Sequence, residues 1–199
     1  MAVSLELVKQ LREKTGAGIM NCRQALEETS GDLDAAVEYL RKKGVAKASK
    51  LTSRKAAEGL VHAYIHPGGR IGVLVEINSE TDFVARTDEF RDLANDIALQ
   101  VAATSPLALA REDLDEAVLE KEREIFRSQA LEEGKPENVI DRIVEGKLEK
   151  FYEEVCLLEQ AYVKDPDTKV GDLVKEMSGK VGENIVIRRF TRYQLGEVS

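Results

Sequence analysis

The spacing of apolar residues changes period twice along this chain, and those changes limit the folds open to it. Residues 59–78 alternate: Val61, Ala63 and Ile65 interleave with His62, Tyr64 and His66, and after the turn signal Pro67–Gly69 the positions Ile71, Val73, Val75 and Ile77 alternate again. Period two is the spacing of strands, so the stretch predicts a β-hairpin with one apolar face. A lone hairpin is marginal in water, so further elements must cover it. A third strand is expected at 184–192, NIVIRRFTR, after the glycine-rich SGKVGE. Phe90, Leu93, Ala94, Ile97, Ala98 and Val101 recur at helical spacing, between Thr87 as N-cap and the stop Ser105–Pro106, and form the covering helix.

The flanks of this α+β centre are helical. Residues 4–44 read as three short helices, with stripes Leu5/Val8/Leu11 (Leu7 extending it), Ile19/Cys22/Ala25/Leu26 and Leu33/Ala36/Val37/Leu40, broken by Thr15–Gly18 and by SGD. Residues 111–155 carry two narrow stripes with charged flanks, separated by EGKP, and predict an antiparallel helical hairpin protruding from the body. A short helix capped by Thr168 is expected at 168–178. The predicted organisation is a three-helix bundle at 1–45, a basic linker at 46–57 and a core at 58–199 with its helical hairpin at about 111–155.

Charge narrows the partners. The net charge is −8, yet residues 1–57 carry 11 basic and 7 acidic groups and residues 111–154 carry 8 basic and 15 acidic ones. A nucleic-acid binder usually presents a dominant basic face; this distribution fits protein partners and no direct nucleic-acid contact. The linker holds Lys47, Lys50, Arg54 and Lys55 with no acid between Glu38 and Glu58, which suits either a solvated tether or contact with an acidic surface. No apolar run reaches the roughly 20 residues of a membrane span, and the amphipathic N-terminus lacks a signal-peptide core. Two distant cysteines, Cys22 and Cys156, form no CxxC pattern, so a reducing cytoplasm is expected.

Motifs for chemistry are missing. TGAGIMN has glycines but no Lys-Ser/Thr to continue a phosphate loop, and reads as a turn between helices. His62 and His66 have no third metal ligand, neither cysteine has a base partner, and the carboxylates sit at solvated spacings. No catalytic residue, metal or cofactor is expected. An enzyme would draw first on Cys22 or His66. A general adaptor and an RNA binder acting through the basic linker are also compatible with the residues.

One corner stands out. NSETDFVAR, residues 78–86, joins the hairpin to the covering helix and spends one of five phenylalanines, Phe83, beside Asp82. Phe83 suits either the core or a contact surface, because Phe90, Leu93 and Ile97 already give the helix a core face.

Together, LVKQLREKTGAGIMNCRQALEETSGDLDAAVEYLRKKG and EINSETDFVAR resemble the two signature regions of the elongation factor Ts family, and HPGGRIGVLVEIN, the GKP hairpin and GENIVIRRF also fit it. The resemblance implies a UBA-like three-helix bundle followed by a dimerisation-type core with a coiled-coil hairpin. It implies a non-catalytic guanine nucleotide exchange factor for translation elongation that binds elongation factor Tu carrying GDP, through its G domain and a further domain, and disturbs its Mg²⁺ and phosphate site. By the same resemblance Thr81, Asp82, Phe83 and Val84 match the motif inserted near that Mg²⁺ site, and Gly16, Ala17, Gly18, Ile19 and Met20 match the bundle's docking turn. From the residues alone, Ser79 and Thr81 suit helix caps, Val84 and Ile19 suit core packing, and Met20 suits an adaptable contact. Longer family members carry two copies of the core subdomain and this chain carries one, which implies a homodimer.

Overall fold

In the computed structural model, which describes residues 3–197, the chain is α+β. Its elements are α1 (Leu5–Thr15), α2 (Ile19–Glu28), α3 (Leu33–Ala48), β1 (Glu58–Ile65), β2 (Ile71–Ser79), the short α4 (Asp82–Ala85), α5 (Asp88–Thr104), α6 (Glu116–Glu132), α7 (Glu137–Val155), β3 (Ala161–Tyr162), β4 (Asp165–Lys169), α8 (Val170–Val181) and β5 (Val186–Gln194). A three-stranded sheet has the order β1-β2-β5, and β3 pairs with β4 in a separate two-stranded ribbon. The chain divides into two compact units. The first comprises Met1–Leu60, Asn78–Phe90 and Leu173–Val186, and the second Val61–Ile77, Arg91–Asp172 and Ile187–Ser199.

In the first unit, α1, α2 and α3 bury Val8, Leu11, Cys22, Ala25, Leu26 and Ala36 as one cluster. Ser4 and Asp32 cap α1 and α3 by accepting from Leu7 N and Ala35 N. Leu5, placed in the first stripe, is exposed instead: α1 needs only its Val8–Leu11 face to reach its neighbours. The helix α3 continues into the basic stretch as far as Ala48. There Lys47 Nζ donates to Gly179 O at 3.4 Å, and Arg41 pairs with Glu176. Gly179 makes the closest approach. A β-carbon built on it would lie 2.5 Å from Gly44 O and 2.7 Å from Gly44 Cα, so α8 passes α3 at backbone distance.

In the second unit, Val73, Val75 and Ile77 of β2 and Leu93, Ile97, Ala98 and Val101 of α5 are buried, as their spacings predict. The first strand departs from expectation. Val61 and Ile65 are each 66% exposed. His66 N donates to Ile71 O, which sets the hairpin register, and Ile65 Cδ1 lies over Gly72. Val61, Ala63 and Ile65 therefore share the face of Leu74, opposite Val73 and Val75. Hairpin register, which sequence spacing leaves open, puts the two apolar sets on opposite faces.

The same unit holds two polar features that periodicity did not flag. Gln100, fully buried on α5, donates to Gln160 Oε1 and Ala161 O, both at 3.1 Å, and accepts from Val163 N at 2.8 Å. Arg111 forks onto Glu149 and Glu159 and stacks over the Tyr152 ring at 4.4 Å from its centroid. The helices α6 and α7 pair around Ala130, Ile140, Val144 and Leu148. The helix expected at 168–178 starts instead at Val170, because Thr168 lies in β4 with its hydroxyl donating to Asp165.

Candidate functional site

The strand β2 ends at the buried Ser79, and the chain must turn sharply into the four residues of α4. Ser79 Oγ donates to Thr81 O at 2.8 Å and tightens the turn. Thr81 occupies the N-cap position, but no helix amide reaches its hydroxyl. That hydroxyl instead donates to Glu183 Oε1 at 2.6 Å, while Glu183 Oε2 accepts from Glu80 N at 3.1 Å and Thr81 N at 3.0 Å. The return bond runs from Asn184 N to Glu80 Oε1 at 2.7 Å. Two carboxylates thus cross-brace two loops about a hundred residues apart in sequence. A carboxylate accepting backbone N–H bonds makes the stronger, charge-assisted kind.

This brace presents the next residues outward. Phe83 is 82% exposed, Val84 and Asp82 are half-buried, and Ala85 turns inward. Asp82 Oδ2 lies 2.7 Å from Arg86 Nη2, one helical turn on. Thr87 Oγ1 accepts from Phe90 N at 3.3 Å and so caps α5, and Phe90 itself is fully buried. The two phenylalanines of this segment have opposite fates: Phe90 closes the core and Phe83 stands clear of it.

The turn between α1 and α2 forms a second exposed apolar feature in the same unit. Gly16 takes the left-handed conformation at φ 64° and caps α1 through its N–H to Arg12 O at 2.7 Å. Cys22 is buried beneath the turn, its thiol donating to Ala17 O at 3.4 Å. Met20 is 75% exposed and Ile19, expected to suit the core, is 53% exposed. The stripe of α2 is completed by Cys22, Ala25 and Leu26 without Ile19, which sits at the first helical position and faces out.

Lys180 and Glu183 link the two features to one segment. Lys180 Nζ pairs with Glu89 at 2.8 Å, and its end lies against the Cα of Gly16, where an added β-carbon would meet Nζ at 2.6 Å. Sequence spacing marked the SGKVGE run only as a lead-in to a strand. Nothing local in it signals Glu183, whose partners lie 102 and 103 residues away.

His66 Nδ1 is 3.0 Å from the Tyr64 hydroxyl at the hairpin end. Among the described residues, no group of three or more His, Cys, Asp or Glu could hold a metal ion, and no helix is long and apolar enough to cross a membrane.

Fold and site together define an α+β protein that carries an exposed aromatic, Phe83, on a hydrogen-bonded corner. The family model for elongation factor Ts matches residues 6–197. Elongation factor Ts of Carboxydothermus hydrogenoformans is 60% identical over 195 residues, covering 98% of this chain and 90% of that protein. Those of Thermoanaerobacter sp. (strain X514) and Moorella thermoacetica are 60% and 61% identical, covering 98% and 96% of this chain and 96% and 94% of theirs. The chain belongs to the elongation factor Ts family.

Proposed function

We propose that the chain is a guanine nucleotide exchange factor that binds elongation factor Tu carrying GDP and speeds GDP release. The supporting observation is the exposed Phe83 on its braced corner, in a chain of this family. Phe83 is the wedge: it moves from water into the partner's G domain, and burying a Phe side chain contributes roughly 1.5–3 kcal/mol. Asp82, beside it, reorders polar groups that support the partner's Mg²⁺. Thr81 and Val84 flank the wedge as part of the same partner contact, and Gly16, Ala17, Gly18, Ile19 and Met20 form a second contact on the G domain. A further domain of the partner meets surfaces elsewhere on the chain.

Linkage sets the scale. If the factor lowers GDP affinity, GDP lowers the factor's affinity by the same ratio. A hundredfold effect needs about 2.7 kcal/mol of coupling, which one buried aromatic and a few polar contacts can supply. No chemical step by this chain is needed; the factor acts on a GTPase in the cytoplasm and leaves unchanged. The test is release of labelled GDP from elongation factor Tu with catalytic amounts of this protein. Multiple-turnover acceleration is expected; binding without faster release would make the chain an adaptor.

The outer sheet face supports a homodimer. Val61, Ala63, Ile65 and Leu74 form a contiguous exposed apolar set. The Arg189–Glu76 pair and the bond from Leu195 N to Arg70 O set β5 in a register that places the exposed Tyr193 level with Gly72 on that face. A clustered apolar face of this kind favours being covered, and a second copy covers it sheet to sheet.

A further inference from the structure

We infer that Glu183 is a positioning residue for exchange: its carboxylate, from the loop after α8, sets the direction in which Phe83 is presented. The inference rests on the exchange function proposed above. A helix of four residues cannot hold its own direction in water, because nucleation costs more than its few hydrogen bonds return. The helix α4 also lacks a side-chain cap of its own. What orients it must come from outside, and Glu183 is that support. One carboxylate takes the Thr81 hydroxyl and the amides of Glu80 and Thr81, the two peptides immediately before the helix. The carboxylate's own backbone is held in turn. Asn184 N donates to Glu80 Oε1, Asn184 Nδ2 donates to Arg54 O at 2.8 Å, and Ile185 N donates to Ser178 Oγ at 3.0 Å. Phe83 lies two residues beyond Thr81, so a rotation of this turn swings the aromatic ring directly.

A residue that merely fastens the fold would lower stability and exchange together, whether or not Phe83 is present. A positioning residue acts through Phe83 and loses its effect when the ring is gone. The experiment is a double-mutant cycle on labelled GDP release from elongation factor Tu, using the full chain as wild type, Glu183→Ala, Phe83→Ala and the double variant. It is run at a temperature where circular dichroism shows each folded. In parallel, amide hydrogen exchange is followed at Glu80 and Thr81. We expect Glu183→Ala to slow exchange about tenfold and to add less than about twofold in the Phe83→Ala background. Glu80 and Thr81 amides lose protection while those of α5 keep it. If Glu183→Ala does not fold, Glu183→Gln, which keeps the size and one acceptor oxygen, takes its place in the cycle.

Wild-type exchange by the folded variant, or an equal loss with and without Phe83, would overturn the inference. So would unchanged protection at Glu80 and Thr81. A wild-type chain that leaves GDP release unaltered defeats the exchange function instead, and the hydrogen-exchange arm then still decides whether Glu183 orients the corner.

Discussion

Asp82 and Arg86 face each other across one turn, carboxylate to guanidinium at 2.7 Å, with Arg86 exposed and the Asp82 side chain about half exposed. An exposed pair of this spacing is worth only about 0.3–0.5 kcal/mol. The free chain therefore holds Asp82 in a partnership that a docking surface can break at little cost. Arg86→Ala is expected to leave the melting temperature nearly unchanged and exchange intact. Phe83→Ala and Asp82→Ala should also melt like wild type, yet the loss of Phe83 burial should slow exchange about tenfold to a hundredfold. Wild-type GDP release by both variants would remove this corner from the mechanism.

The glycine pair Gly44 and Gly179 gives opposite expectations for the same substitution. A β-carbon on Gly44 meets nothing within 4 Å, whereas one on Gly179 runs into the Gly44 backbone. Gly44→Ala should be neutral or stabilise by about 0.5–1 kcal/mol, since alanine suits a helix interior better. Gly179→Ala should destabilise by about 1–3 kcal/mol through overpacking, lowering the melting temperature by roughly 2–4 °C per kcal/mol. Equal melting temperatures for the two variants would contradict the close crossing.

If two copies pair through the outer sheet face as proposed, charge on that face should separate them. Ile65, the last residue of β1, stands over Gly72 within the exposed apolar set. Ile65→Lys is expected to convert a dimer into a monomer in light scattering while the circular dichroism spectrum stays the same. A monomer for the unmodified chain at every concentration would rule out the pairing.

Thiol chemistry should be silent in the native state. Cys22 and Cys156 are both free and buried, and burial, helped by the nearby Glu159, pushes the Cys156 thiol up to about 11. The thiolate is the reactive form, so Ellman's reagent at mildly alkaline pH should label neither cysteine until guanidinium unfolds the chain. A disulfide-linked species on a non-reducing gel would contradict the burial.

Acid should selectively weaken the Arg111 cluster. Hydrogen bonds from Arg111 hold the Glu159 and Glu149 carboxyls below the usual range. A folded-state pKa below the unfolded one contributes stability that is present above the unfolded value, near 4.3, and is lost as pH falls through the folded value. Arg111→Met should therefore lower the melting temperature at neutral pH, and the gap from wild type should narrow in strong acid. An undiminished gap would assign the loss to the stacking on Tyr152.

Period and punctuation revealed much of this fold, because apolar spacing reports which side of an element is buried. The stripes Phe90–Val101 and Val73–Ile77 lie where their spacing puts them. Pattern could not say which face of β1 joins the core, since hairpin register decides that and leaves Val61 and Ile65 outside. Gln100 sat within an apolar stripe and became legible only with Gln160 and Val163 beside it. At the corner, residue type and spacing left Phe83 between two fates, and Thr81 looked like a cap although its hydroxyl serves Glu183. Contacts that close over a hundred residues leave no local trace, so no reading of NSETDFVAR alone could reach Glu183.

The bond from Lys47 to Gly179 spans 132 residues. A ribosome adds roughly 5–20 residues per second. The bundle is therefore complete on the order of ten seconds before the segment that touches α3 and braces the Asp82–Phe83 corner has been made. The nascent chain cannot fix its Phe83 in place until Glu183 has been synthesised. A truncated product can carry an intact bundle with an unbraced corner, so premature termination would yield fragments that fold in part without the aligned aromatic.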